Sequence, residues 1–128
     1  MGEQLLSLAY GCHSFGTVVH EIMHAIGFHH QHMRADRDNY LNIHWQNIKR
    51  GHEMNFNKLD YGLIFAPFDY YSIMQYGSTT FSIDGKSPTI TPKIDGVKLV
   101  KPRHKGGLSK FDIISINDMY NCEVEAKV

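Results

Sequence analysis

His20-Glu21-Ile22-Met23-His24-Ala25-Ile26-Gly27-Phe28-His29-His30 decides how this chain is read. It contains H-E-x-x-H-x-x-G-x-x-H. Two histidines four residues apart on a helix project from one face, so His20 and His24 can reach a single metal ion. At about 100° per residue, Glu21 sits beside that face, where it can touch a metal-bound water without ligating the metal. His30 lies ten steps beyond His20, and a continuing helix would rotate it well away from the pair. Gly27 removes the difficulty, because glycine takes positive φ, ends the helix and lets the chain swing back. Three neutral imidazoles and one open position make a catalytic zinc site, whereas a structural site would be closed by a fourth protein ligand. Two surface histidines and one buried histidine on an ordinary helix are the bland alternative.

The same stretch anchors a helical pattern. Phe15, Val18, Val19, Ile22, Met23 and Ile26 recur at the spacing of one buried stripe, with Thr17, His20, His24 and Gly27 opposite. This predicts a helix ending near Gly27. Upstream, Gln4 to Tyr10 reads as a short strand, followed by a turn at Gly11–Ser14. Downstream, a weak helix is expected around Ile43 to Phe56, with Trp45 and Ile48 on its apolar side. Asp60 to Pro67 reads as loop, and Tyr70 to Tyr76 as a short extended segment or a turn. Phe81–Ile83 and Thr89–Thr91 around Asp84-Gly85-Lys86 resemble a hairpin. Lys93 to Gly107 is a basic loop. Ser109, a natural N-cap, opens a helix to Tyr120 with Ile113, Ile116 and Tyr120 on one face. No repeat or low-complexity tract interrupts the chain.

Length and composition narrow the class. The 128 residues fit one domain, and 42% hydrophobic with 20% charged residues fits a folded chain. Thirteen basic residues balance thirteen acidic ones, so the basic excess of a nucleic-acid binder is missing. No apolar run is long enough for a membrane span, and Met1–Leu8 does not read as a signal peptide. Six of the nine histidines fall between His13 and His32. The two cysteines, Cys12 and Cys122, make at most one bridge and are too few for a cysteine-based zinc site. The extended histidine pattern also calls for a methionine turn beneath the metal, which Ser72-Ile73-Met74-Gln75-Tyr76 supplies.

The zinc helix, the following Arg34-Ala35-Asp36-Arg37-Asp38-Asn39-Tyr40, the Ser72–Tyr76 turn and the closing Ile116-Asn117-Asp118-Met119-Tyr120-Asn121-Cys122 together resemble the astacin family of zinc metalloendopeptidases, which are metzincins. The likeness runs from about Leu8 to Cys122. It implies an α+β, zincin-like fold: the zinc helix plus an irregular C-terminal lobe with its own helix. Residues 1–30 would be the remnant of an N-terminal lobe with the zinc helix, and 31–128 the C-terminal lobe of one partial peptidase domain. It implies one Zn2+ per chain on His20, His24 and His30, with Tyr76 as an additional, displaceable ligand. Glu21 would activate a zinc-bound water and pass its proton to the leaving amine, while the Tyr76 hydroxyl would help hold the oxyanion. Met74 is read as a packed floor. The resemblance further implies a peptide or protein substrate and a secreted, extracellular protein.

Departures from the family pattern carry their own expectations. Most of the N-terminal sheet lobe, whose edge strand aligns the substrate, would be missing. The apolar stripe of Phe15, Val18, Val19, Ile22 and Ile26 would then be partly uncovered and favour association. In the family the cysteines at the positions of Cys12 and Cys122 pair with that lobe, so two free thiols are expected, a Cys12–Cys122 bridge being the alternative. Gln31 stands where the family usually has a glutamate, which puts the family's activation switch in doubt. His13, His29, His32, His44, His52 and His104 are expected to be surface or hydrogen-bonded histidines. Lys101, Arg103, His104 and Lys105 read as a solvated basic loop, or as a pocket wall favouring acidic residues after the scissile bond. The competing functional readings are a catalytically impaired zinc- or peptide-binding fragment and a histidine-rich structural domain.

Overall fold

The computed structural model describes residues 3–122. Helix α1 runs Phe15–Ala25, and the Ser14 side chain caps it by accepting from the Thr17 amide at 3.4 Å. Its end is held by two bonds, Phe28 N–H to the Met23 carbonyl and Gly27 N–H to the His24 carbonyl. Gly27 sits at φ +99°, the left-handed conformation that such a cap demands. Gly16 serves a different purpose. A Cβ there would overlap the Pro102 carbonyl oxygen and come within 2.7 Å of that of Lys105. The glycine therefore lets α1 lie directly on the Lys101–Lys105 segment.

Helix α2, Lys110–Tyr120, opens on a reciprocal cap in which Ser109 accepts from the Asp112 amide and Asp112 accepts from that of Ser109. Its far end is tied to the zinc-helix exit by the Tyr120 hydroxyl, which donates to the Ile26 carbonyl at 2.7 Å. Strand β1 (Leu41–Ile43) pairs antiparallel with β2 (Ile90–Pro92) in the register Leu41–Pro92, Asn42–Thr91 and Ile43–Ile90. The main apolar cluster, Leu41, Ile48, Phe56, Phe68, Ile90 and Leu99, is built around this ribbon. A smaller one of Met23, Ile73 and Met74 joins α1 to the 72–76 turn, with Val19, Ile26, Phe28 and Ile116 against it.

Three expectations change. Gln4–Tyr10 has no strand partner among the described residues and forms no strand. The helix expected over 43–56 is two short 3-10 turns, Trp45–Asn47 and Glu53–Phe56. Gly51 at φ +87° and the bridge of Ile48 to Ser82 interrupt it. The hairpin over 81–91 is replaced by pairing of β2 with the distant β1. Its tip is a side-chain-held turn in which Asp84 accepts from Ser82 Oγ, Ser87 Oγ and the amides of Lys86 and Ser87. The α1 stripe is partly uncovered, as expected from the sequence. Phe15 and Ile22 are 67% and 46% exposed, while Met23 and the opposite-face His20 are buried. The 72–76 turn packs against Met23 and His20, with Val19 and Ile26 of the stripe half-buried beside them.

Candidate metal centre

Two elements and one turn assemble the site. Successive turns of α1 carry His20 and His24, and the reversal at Gly27 returns His30 to face them. The metal-binding atoms of the three lie within 4.8 Å of one another. His20 Nδ1 is 2.8 Å from the Ile73 carbonyl, and His24 Nδ1 is 2.8 Å from the Phe28 carbonyl. A carbonyl can only accept, so both Nδ1 atoms carry a proton, and in the neutral ring each Nε2 then presents its lone pair. Those two Nε2 atoms lie 3.2 and 3.0 Å from His30 Nε2. His30 can donate to one of them at most, which leaves lone pair against lone pair.

A shared cation resolves this conflict. Imidazole nitrogens at 2.0–2.1 Å in tetrahedral directions around one zinc would stand about 3.3 Å apart, close to the separations found. Burial, followed by the charges of His32, His24 and His20, pushes the His30 imidazole down to about 2. Burial likewise lowers His20. Both are therefore neutral around pH 7, the form that ligates metal.

Glu21 and Tyr76 line one cleft of about 260 Å³ with His20, Phe81, Lys101 and Arg103. The Tyr76 ring lies 4.4 Å from that of His30 and 4.1 Å from that of His32. Burial, and then the Glu21 carboxylate, pushes the Tyr76 hydroxyl up to about 12, so it stays a hydrogen-bond donor. Met74 is 1% exposed beneath the histidines, packed with Met23 and Ile73. A second cavity of about 220 Å³ touches His30 and is lined by Phe28, Gln31, Arg34 and Met119. Glu21 and Tyr76 are not part of it.

Three placements differ from expectation. His32 is fully buried and only half satisfied. Its Nε2 bonds the Asn55 carbonyl, while its Nδ1 has no partner among the described residues. The 3-10 turn Gln31–Met33 folds it beneath Tyr76, and burial first of all lowers it to about 4. Of the basic loop, His104 is exposed and Lys101 and Arg103 face the cleft, but Lys105 turns inward. Its ammonium donates to the Ser72 and Gln75 carbonyls at 2.5 and 2.9 Å. Third, Asp112 in α2, to which the sequence assigns no site role, is 3% exposed and reaches the turn through Ser72 Oγ and the Ile73 amide. Its sequence signal is its place three residues after the Ser109 cap. Neither Cys12, half-buried, nor Cys122, exposed, is in a disulfide. No helix among the described residues is long and apolar enough to cross a membrane.

The model of the astacin peptidase family matches residues 1–121. Astacin-like metalloprotease toxin 1 of Loxosceles intermedia is 48% identical over 124 residues, covering 94% of this chain and 47% of that one. Zinc metalloproteinase nas-7 of Caenorhabditis elegans is 45% identical over 133 residues, covering 99% and 33%. The solved structure of high choriolytic enzyme 1, a hatching enzyme zinc-protease from Oryzias latipes, matches with a TM-score of 0.76 at 42% identity, over 84% of this chain and 52% of that one. The chain thus spans about half or less of the length of these relatives.

Proposed function

The chain belongs to the astacin family of peptidases, and from that premise we propose that it is a zinc-dependent endopeptidase acting on peptide or protein substrates. One observation carries the reading: three imidazoles converge on one point, two with their Nδ1 protons pinned to carbonyls, beside a cleft holding a carboxylate and a protonated phenol. His20, His24 and His30 would hold one Zn2+. When bound, the ion supplies Lewis acidity and a water whose pKa falls to about 7. Glu21, beside His20 in the cleft, would act as the general base and acid, taking a proton from the attacking water and passing it to the leaving amine nitrogen. Tyr76, ring-packed on His30 and His32, would donate its hydroxyl hydrogen to the developing oxyanion, or act as a further, displaceable ligand. Lys101 and Arg103 in the cleft wall favour an acidic side chain after the scissile bond.

In domain organisation, the chain would divide at residue 30, with the zinc helix before it and the C-terminal lobe of the peptidase domain after it. The relatives named as a hatching enzyme and a toxin support a place outside the cell. The exposed Phe15 and Ile22 are the surface through which self-association would run.

Casein cleavage with and without a zinc chelator, alongside Glu21→Gln, tests the activity. We expect one zinc per chain, chelator-sensitive cleavage, and about a hundredfold loss or more in Glu21→Gln with zinc still bound. One-to-one zinc without cleavage by the unmodified chain would instead leave a zinc-binding module. Absence of stoichiometric zinc would leave only a histidine-rich domain.

A further inference from the structure

Between Ser72 and Gln75 the backbone offers four consecutive carbonyls, and the structure divides them in two pairs. The inner pair serves the metal ligands. The Ile73 carbonyl accepts from His20 Nδ1 at 2.8 Å, and the Met74 carbonyl accepts from the Gln31 amide at 3.1 Å, next to His30. The outer pair, Ser72 and Gln75, is taken by the Lys105 ammonium at 2.5 and 2.9 Å. On the amide side, Asp112 accepts from Ile73 N–H at 2.8 Å and from Ser72 Oγ at 2.5 Å. The Ser72–Ile73 peptide, one unit before the carbonyl that orients His20, is thus gripped by an ammonium and a carboxylate drawn from different parts of the chain.

We propose that Lys105, acting with Asp112, is a positioning residue for the metal centre, clamping the Ser72–Gln75 turn so that its two central carbonyls hold His20 and the segment bearing His30. The assignment rests on the zinc reading above. Packing alone does not require a charge here. An ammonium loses solvation on burial, and that loss lowers Lys105 to about 8 although Asp112 and Asp69 oppose it. An apolar side chain of similar length would fill the same space without that cost. What an apolar chain cannot do is tie two carbonyls three residues apart to one point. Gly16 makes the placement possible, because a side chain there would collide with the Lys105 backbone. Partners behind a metal ligand typically alter affinity 10–100-fold, and Lys105 stands one bond further out, so about tenfold is expected.

The test uses the full chain and two metals, Zn2+ titrated against a chromophoric chelator and Co2+ read by its visible absorption. Lys105→Met should weaken zinc about tenfold and shift or broaden the cobalt bands, and Lys105→Arg should restore both. Two comparison variants should leave both at the wild-type values: Lys110→Met at an exposed position of α2, and Leu41→Ala in the β1–β2 cluster. Should Lys105→Met not fold, Lys105→Gln, which keeps an N–H donor, should give a smaller loss of the same kind. Equal affinity and spectra in Lys105→Met and wild type overturn the proposal. So does an equal weakening in Leu41→Ala, which would reduce Lys105 to general stability. A wild-type chain that binds no zinc fails at an earlier step and sinks the zinc reading itself.

Discussion

The β1–β2 cluster and the turn beneath the histidines lie in one chain but are built on different principles. Around Leu41, Ile48, Phe56, Phe68, Ile90 and Leu99 the contacts are apolar, and burial of each side chain contributes about 1.5–3 kcal/mol without regard to direction. Around Ile73 and Met74 the apolar contribution is small: three buried residues and a few half-buried neighbours. There the order comes from hydrogen bonds by His20, Gln31, Lys105, Asp112 and Ser72, each with a fixed distance and angle. Apolar packing tolerates shifts of a few tenths of an ångström, but a ligand triad does not, because an ion samples the position of every donor at once. The first region should therefore govern whether the chain folds, and the second how well it grips a metal.

The strongest way to break this division is His30→Ala. Removing one of three ligands should cost about a third of a binding energy of roughly 10–16 kcal/mol, or on the order of a thousandfold in zinc affinity by chelator competition, with the metal-free melting curve little changed. Next comes the converse, Leu41→Ala. It should remove about 3 kcal/mol of unfolding free energy in urea while zinc affinity of the folded fraction stays within about a factor of two. A matching loss of affinity would merge the two regions into one cooperative unit.

The smallest expected effect concerns pH. Lys105 titrates near 8 in the fold and near 10.5 when unfolded, with Asp69 and Asp112 the charged groups facing it. Between those values the unfolded chain binds more protons, so stability rises with pH. The destabilising share is fully present below about 8 and is gone above 10.5. The metal-free wild type should therefore gain stability across that window relative to Lys105→Met. A flat difference between their melting temperatures would mean that the ammonium is better solvated than its surroundings suggest.

Legibility followed the range of the interactions. Helix α1 came from the spacing Phe15 to Ile26, and its stop from Gly27, because a helix is written in bonds between near neighbours. Helix α2 was readable from Ser109 for the same reason. The ligand triad was legible since His20, His24 and His30 fall within eleven residues of one helix and its cap. Ile43–Phe56 misled because its apolar residues serve a core that β2 completes from far along the chain. His32 gave no local sign of burial: its neighbours His29 and His30 suggest a polar run, and only the chain reversal carries it under Tyr76.

What the sequence determined by itself is the metal-binding chemistry: residue types and spacings that periodicity and one glycine suffice to bring together. The burial of His20 against the 72–76 turn, the partner of β2 and the inward turn of Lys105 were decided by tertiary structure alone. The reason is range. His20 and the carbonyl that orients it are 53 residues apart, and Lys105 reaches across 30 and 33 residues to its two acceptors. No pattern within a local window encodes which distant backbone atom will accept a proton. That choice falls to whichever packing leaves the fewest buried polar groups without partners.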